Sequence, residues 1–126
     1  MKTTAVYFSP TGTSEKGALA IANALGQAEK MNLTRFDAAL TRTEFAKDEL
    51  VVFGAPVYGG RLYKGAVERF HRLKGNGTPC VVTVTYGNRD FDDALLELSD
   101  LAKELGFRPV AAAALIGEHT YGNIQK

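Results

Sequence analysis

The stretch Ser9-Pro10-Thr11-Gly12-Thr13-Ser14 decides how this chain folds. It follows Ala5-Val6-Tyr7-Phe8, an apolar run that reads as a buried strand, and precedes Ala18-Leu19-Ala20-Ile21-Ala22, the body of a helix. It is therefore a strand-to-helix turn made almost wholly of hydroxyl residues and a glycine. The start of a helix leaves backbone N–H groups without partners and carries partial positive charge, which suits a phosphate. Gly12 permits positive φ and close backbone approach, while Ser9, Thr11, Thr13 and Ser14 each carry a hydroxyl that donates to phosphate oxygens. Ser and Thr are also ordinary helix caps. Four hydroxyls in six residues, directly after the first strand, favour phosphate over capping alone. The spacing is neither that of a Walker loop nor Gly-x-Gly-x-x-Gly. Lys16 nearby reads as a solvated lysine.

Working outward, residues 3–8 read as the first strand and 13–25 as the first helix, with Ala18, Ile21, Ala22 and Leu25 on one face and Gly26 as its stop. Residues 31–36 read as a weaker strand with Leu33 and Phe36 as its apolar members. Residues 37–49 read as a short helix or an irregular crossover. Leu50-Val51-Val52-Phe53-Gly54 is a strong buried strand. A loop over 55–61 leads to a helix over 62–73, with Val67 and Phe70 inward and His71 on its surface. After a turn at 75–79 come a strand over 80–86, a loop over 87–90 and a helix over 91–105. That helix is capped by Asp90 or a neighbour, ended by Gly106, and apolar along Leu95, Leu98, Leu101, Ala102 and Leu105. Residues 110–116 read as the fifth strand.

The strict alternation of strand and helix implies an α/β domain with a parallel sheet and helices on both faces. A fifth helix is expected after the last strand, and residues 117–126 scarcely supply it. The expectation is one domain over residues 1–126, cut short at its C-terminus, as a fragment of a longer protein.

Composition narrows the functions. The 126 residues with 45% hydrophobic content make one domain, and a net charge of +1 gives no electrostatic footprint for nucleic acid. The longest apolar run, residues 110–116, is far too short to span a bilayer. The N-terminus shows no signal-peptide pattern. A single cysteine, Cys80, permits no internal disulfide and opens a buried strand, so it reads as a core residue in a cytoplasmic protein. No Cys and His cluster has metal-ligand spacing.

In an open parallel sheet, ligands sit beyond the carboxyl ends of the strands. Three loops fall there. The first is the hydroxyl turn. The second is Pro56-Val57-Tyr58-Gly59-Gly60-Arg61, and the third is Thr85-Tyr86-Gly87-Asn88-Arg89-Asp90. Tyr58 and Tyr86 offer flat amphipathic rings among glycines, a slot for a planar aromatic ligand whose phosphate lies in the first loop. Asp92, Asp93 and Glu97 read as a solvated first turn placed favourably on the helix dipole.

At these residues the chain resembles the flavodoxin family. Tyr7 with Ser9-Pro10-Thr11-Gly12-Thr13-Ser14 is similar to its phosphate loop, with Ser14 where the family usually has threonine. The nearest resemblance is to the flavodoxin-like domain fused to a bacterial-type ferredoxin with two iron–sulfur clusters. It rests on Phe8-Ser9-Pro10-Thr11-Gly12-Thr13, on the second loop, on Tyr86-Gly87-Asn88-Arg89 with Asp92-Asp93-Ala94-Leu95, and on Gly117-Glu118-His119-Thr120. Tyr63 stands where such domains usually have proline.

The resemblance implies a five-stranded parallel sheet in the order 2-1-3-4-5 and bound FMN. Ser9, Pro10, Thr11, Gly12, Thr13 and Ser14 would hold the phosphate. Pro56, Val57, Tyr58, Gly59, Gly60 and Arg61, with Thr85, Tyr86, Gly87, Asn88, Arg89 and Asp90, would flank the isoalloxazine, and His119 would lie on the ligand edge. It further implies an electron carrier whose partner is a ferredoxin-type iron–sulfur domain, fused or separate. Two alternatives stay open: an FMN-dependent NAD(P)H quinone or nitro reductase, and a ligand-free docking module. Flavin absorbance separates the second from the rest.

Overall fold

The structure, a computed structural model, describes residues 2–35, 40, 42–58, 61–86 and 92–116. Along it run β1 (Lys2–Tyr7), α1 (Thr13–Leu25), β2 (Ala28–Asn32), β3 (Glu49–Tyr58), β4 (Arg61–Leu62), α2 (Lys64–Phe70), β5 (Thr78–Tyr86), α3 (Asp92–Glu104) and β6 (Phe107–Ile116). Five strands form a parallel sheet in the order β2-β1-β3-β5-β6. This is the expected doubly wound order. Its last position is β6 because the two-residue β4, which the sequence did not announce, pairs antiparallel with the end of β3.

Side chains alternate across a strand, and that alternation sorts the core into two layers. Ala5 and Tyr7 of β1, Leu50 and Val52 of β3 and Val81 of β5 pack with Ala18 and Ala22 of α1. Their neighbours Val6, Val51, Phe53, Cys80 and Val82 face the other way, against Ala66 and Phe70 of α2 and Leu98 and Ala102 of α3. Phe53 is the hub of that layer, edge-on to Phe70 at 5.3 Å and to Phe107 at 5.0 Å between ring centroids. The central strands are apolar on both sides because both faces are covered. At Gly54 a side-chain carbon would lie 2.8 Å from Ala18 Cβ and 3.2 Å from the Ser14 carbonyl oxygen. The bare backbone there lets the start of α1 press directly onto the sheet.

Several boundaries differ from expectation. The second strand is Ala28–Asn32, not residues 31–36. It is an edge strand with Glu29 and Lys30 exposed, so pairing with β1, starting at Thr3 opposite Ala28, fixes its limits where hydrophobicity does not. Phe36 lies outside the described residues. The third strand runs on to Tyr58, so Pro56 and Val57, expected in a loop, belong to a strand. The helix expected over 62–73 shortens to Lys64–Phe70, because Leu62 is drawn into β4 and the chain after Phe70 closes in tight turns. The last two sheet strands begin earlier, at Thr78 and Phe107.

Among the described residues of the crossover before β3 there is an irregular path and no helix. Phe45 anchors it in the core, bridged on either side by Glu44 pairing with Lys74 and by Thr78 Oγ1, which lies 3.1 Å from the Phe45 carbonyl. Arg42 stacks 4.3 Å over the Phe45 ring and forks onto Glu49. No helix among the described residues is long and apolar enough to cross a membrane.

Two buried acids make the fold alkali-sensitive. Burial pushes the Cys80 thiol up to about 12. Burial, then a hydrogen bond to Glu15, pushes the Tyr7 phenol up to about 12. In the unfolded chain these groups titrate near ~8.5 and ~10. A pKa raised on folding contributes stability that is intact below the unfolded pKa and lost as pH rises toward the folded one. The urea midpoint should therefore hold to about pH 8.5 and fall from there toward pH 12. An unchanged midpoint at pH 11 would contradict this.

Candidate functional site

The hydroxyl turn is built by its own hydrogen bonds before any ligand enters. Ser9 N–H donates to Thr34 Oγ1 at 2.8 Å, which ties the turn to the chain leaving β2. Ser9 Oγ accepts from Glu15 N–H at 2.9 Å, so it serves the first turn of α1 while its proton stays available to an acceptor. Gly12 N–H donates to the Ser9 carbonyl at 3.2 Å, and the Gly12 carbonyl accepts the first helical bond from Lys16 N–H. Thr11 and Thr13 share a hydrogen bond at 3.2 Å, and Ser14 is buried. The Glu15 carboxylate, the one anion of the turn, accepts a hydrogen bond from Tyr7 Oη at 3.0 Å.

Gly12 occupies the cap position of α1 with φ +85°, and no side chain caps the helix there. Among the described residues the N–H groups of Thr13 and Ser14 have no acceptor. A Cβ on Gly12 would project into open space with nothing within 4 Å. Free donors, positive dipole and a backbone cleared of side chain therefore converge on one spot.

The described residues that lead into the other two loops lie at the same edge of the sheet. Tyr7, Gly54 and Thr83 are neighbours across β1, β3 and β5, and Pro56 lies beside Thr85. Thr85 Oγ1 is buried with no hydrogen-bond partner among the described residues, and Thr85 lines an apolar groove between α1 and β6 together with Thr13, Lys16, Leu115 and Ile116. An orphaned hydroxyl this close to the helix start fits a polar ligand group. Tyr86 follows it, partly exposed. Tyr58 stands half exposed at the tip of β3, edge-on to Tyr63 at 5.0 Å. Gly59, Gly60, Gly87, Asn88, Arg89, Asp90 and His119 lie outside the described residues.

Two residues act differently from their reading in the sequence. Arg61 turns its guanidinium onto Glu97 of α3, donating from Nε at 3.0 Å and Nη2 at 2.8 Å. Glu97, expected as a solvated carboxylate, also accepts from Leu62 N–H at 2.9 Å. The bond to Arg61 holds the Glu97 carboxyl below its ordinary range. Tyr63, in the place of the usual proline, caps α2 without a side-chain bond and stacks on Phe8 at 5.2 Å. Arg69 covers the same Phe8 ring at 5.1 Å and donates to the Thr34 carbonyl at 3.2 Å. Thr34, Tyr63 and Glu97 were not legible as site-building residues, because each acts through a partner more than twenty residues away. His71 is exposed, as expected. Among the described residues no group of His, Cys, Asp and Glu could hold a metal ion.

No protein-family model matches the chain, and no curated protein matches it. Solved structures do. A flavodoxin from the domain Archaea aligns with a TM-score of 0.69 at 18% identity, over 99% of this chain and 90% of that one. Two-electron reduced Megasphaera elsdenii flavodoxin aligns with a TM-score of 0.63 at 20% identity, over 90% and 85%. A flavoprotein in complex with FMN from Lactobacillus acidophilus NCFM aligns with a TM-score of 0.60 at 14% identity, over 90% and 92%. At such identities the likeness establishes the fold: flavodoxin-like α/β.

Proposed function

Given a flavodoxin-like fold, we propose that this chain binds FMN and serves as an electron-transfer domain whose partner is an iron–sulfur protein of the ferredoxin type. The observation that carries the FMN assignment is the start of α1. The unpartnered N–H groups of Thr13 and Ser14 surround a space that Gly12 keeps clear, with the hydroxyls of Ser9, Thr11 and Thr13 beside it. This donor set matches a phosphate monoester. Thr85 Oγ1 supplies one more polar contact, and Tyr58 and Tyr86 provide ring surfaces at the same sheet edge.

When bound, FMN would supply the electron chemistry. The chain's own residues bind and orient it. The helix start and hydroxyls hold the phosphate, the tyrosines exclude water from the ring, and the buried strands beneath keep both in register. The motifs shared with ferredoxin-fused flavodoxin-like domains support an iron–sulfur partner, and one buried thiol is compatible with a cytoplasmic setting.

The test is titration of flavin-free protein. One FMN should bind per chain, with the shifted visible absorbance of an enclosed flavin. Riboflavin, which lacks the phosphate, should bind at least tenfold more weakly, since one charge-assisted hydrogen bond contributes about 1.5–3 kcal/mol. Equal affinity for the two flavins would overturn the phosphate assignment.

A further inference from the structure

We infer that Glu97 is a positioning residue for the flavin slot, fixing from α3 the hairpin that presents Tyr58; the inference rests on the FMN assignment. The hairpin joining β3 to β4 has only two pairs, Val57 with Leu62 and Tyr58 with Arg61. A ribbon that short does not hold its own geometry in water. Leu62 packs in the core and Tyr63 N–H reaches the Pro56 carbonyl at 3.4 Å, and the charged anchor is Glu97. Both carboxylate oxygens are used: Oε1 accepts from Arg61 Nε and from Leu62 N–H, and Oε2 accepts from Arg61 Nη2. A forked guanidinium on a carboxylate fixes orientation as well as distance.

The base of this clamp is firm. Ala94, Leu98, Leu101 and Ala102 bury α3 against the sheet, so Glu97 projects from a rigid helix onto a weak ribbon. Displacing the clamp moves Arg61 and Leu62, and through the ladder moves Val57 and Tyr58. Exposed ion pairs add little to global stability, and the Arg61 side chain is 65% exposed. The consequence of losing Glu97 therefore falls on the position of Tyr58, not on the melting point.

The experiment compares wild type, Glu97→Ala, Glu97→Gln and Arg61→Ala by FMN titration, by visible circular dichroism of the bound flavin, and by amide exchange at Leu62 in flavin-free protein. Glu97→Ala should weaken FMN binding roughly tenfold, as expected for losing a set of charge-assisted bonds that position a contact. It should also alter the flavin dichroism and expose the Leu62 amide. Glu97→Gln, whose single side-chain oxygen can still accept from Leu62 N–H and Arg61 Nε but which turns an N–H2 donor toward Arg61 Nη2, should restore protection of the Leu62 amide and return the other two readouts in part. Arg61→Ala should fall between, because the Leu62 bond survives it.

A Glu97→Ala protein with FMN affinity within about twofold of wild type, the same dichroism and a protected Leu62 amide overturns the inference and leaves the FMN assignment standing. A wild-type protein that binds no FMN overturns both. Should Glu97→Ala fail to fold, Glu97→Gln and Arg61→Ala decide: wild-type readouts in Arg61→Ala, or no difference between the two variants, overturn the inference.

Discussion

Gly12→Val is expected to abolish FMN binding, by a hundredfold or more, while leaving the sheet folded. Gly12 sits at φ +85°, where the carbonyl of a left-handed residue crowds any Cβ. A β-branched side chain there is a genuine outlier. The native turn has two jobs at this residue: its N–H bonds to Ser9 and its carbonyl opens the α1 ladder to Lys16. Valine forces the backbone out of that geometry, and whichever way it relaxes, the Thr13 and Ser14 donors lose their common aim. The site around Cβ is otherwise open, so packing elsewhere is untouched and the strain is local. Far-ultraviolet dichroism should match wild type and isothermal titration should show no FMN heat. A valine variant that purifies with full flavin would refute the phosphate turn.

Gly106→Ala is expected to lower stability by about 3 kcal/mol, from left-handed strain together with overpacking. The turn between α3 and β6 is zipped to the turn before β5: Gly75 N–H donates to the Leu105 carbonyl and Gly77 N–H to the Gly106 carbonyl, both at 2.8 Å. Gly106 has φ +99°, and a Cβ on it would collide with the carbonyl oxygen of Gly75. The obstacle is backbone, so no rotamer change relieves it. The melting temperature should fall by about 10 °C, the shift such a loss gives in a domain of this size. Gly77→Ala is the control, with φ +76° but nothing within 4 Å of its Cβ. It carries the strain alone and should lose roughly half as much. Equal losses in the two variants would dismiss the contact between the turns.

The parallel order and the first loop could be read directly because each is written in local pattern. Ala5 to Phe8, the hydroxyl turn and the apolar face of α1 are contiguous, and a crossover of fixed hand leaves few topologies. Cys80 was read as core and is fully buried. What failed was non-local. Leu62 carries the periodicity of a helix start, but the antiparallel pairing with Val57 claims it for β4. Residues 28–30 lay outside the strand expected over 31–36 because an edge strand needs little apolar content; pairing with β1 makes them strand. Glu97 resembled any acidic residue near a helix start, and only folding brings it to Arg61, 36 positions away.

The place of β1 bears on how the chain is made. It leaves the ribosome before β2 to β6, yet it ends inside the sheet, between β2 and β3. Its partner β2 ends at Asn32, so the first crossover unit can assemble early. Its other edge pairs from Lys2 opposite Glu49, and it stays open until β3 has been synthesised through Tyr58. An open apolar edge is a template for wrong pairing. At translation rates of about 5–20 residues per second that exposure lasts on the order of seconds. The nascent chain with β1 and β2 complete and β3 unfinished is thus the species most in need of a chaperone, and the Lys2 to Glu49 closure is the step that ends the need.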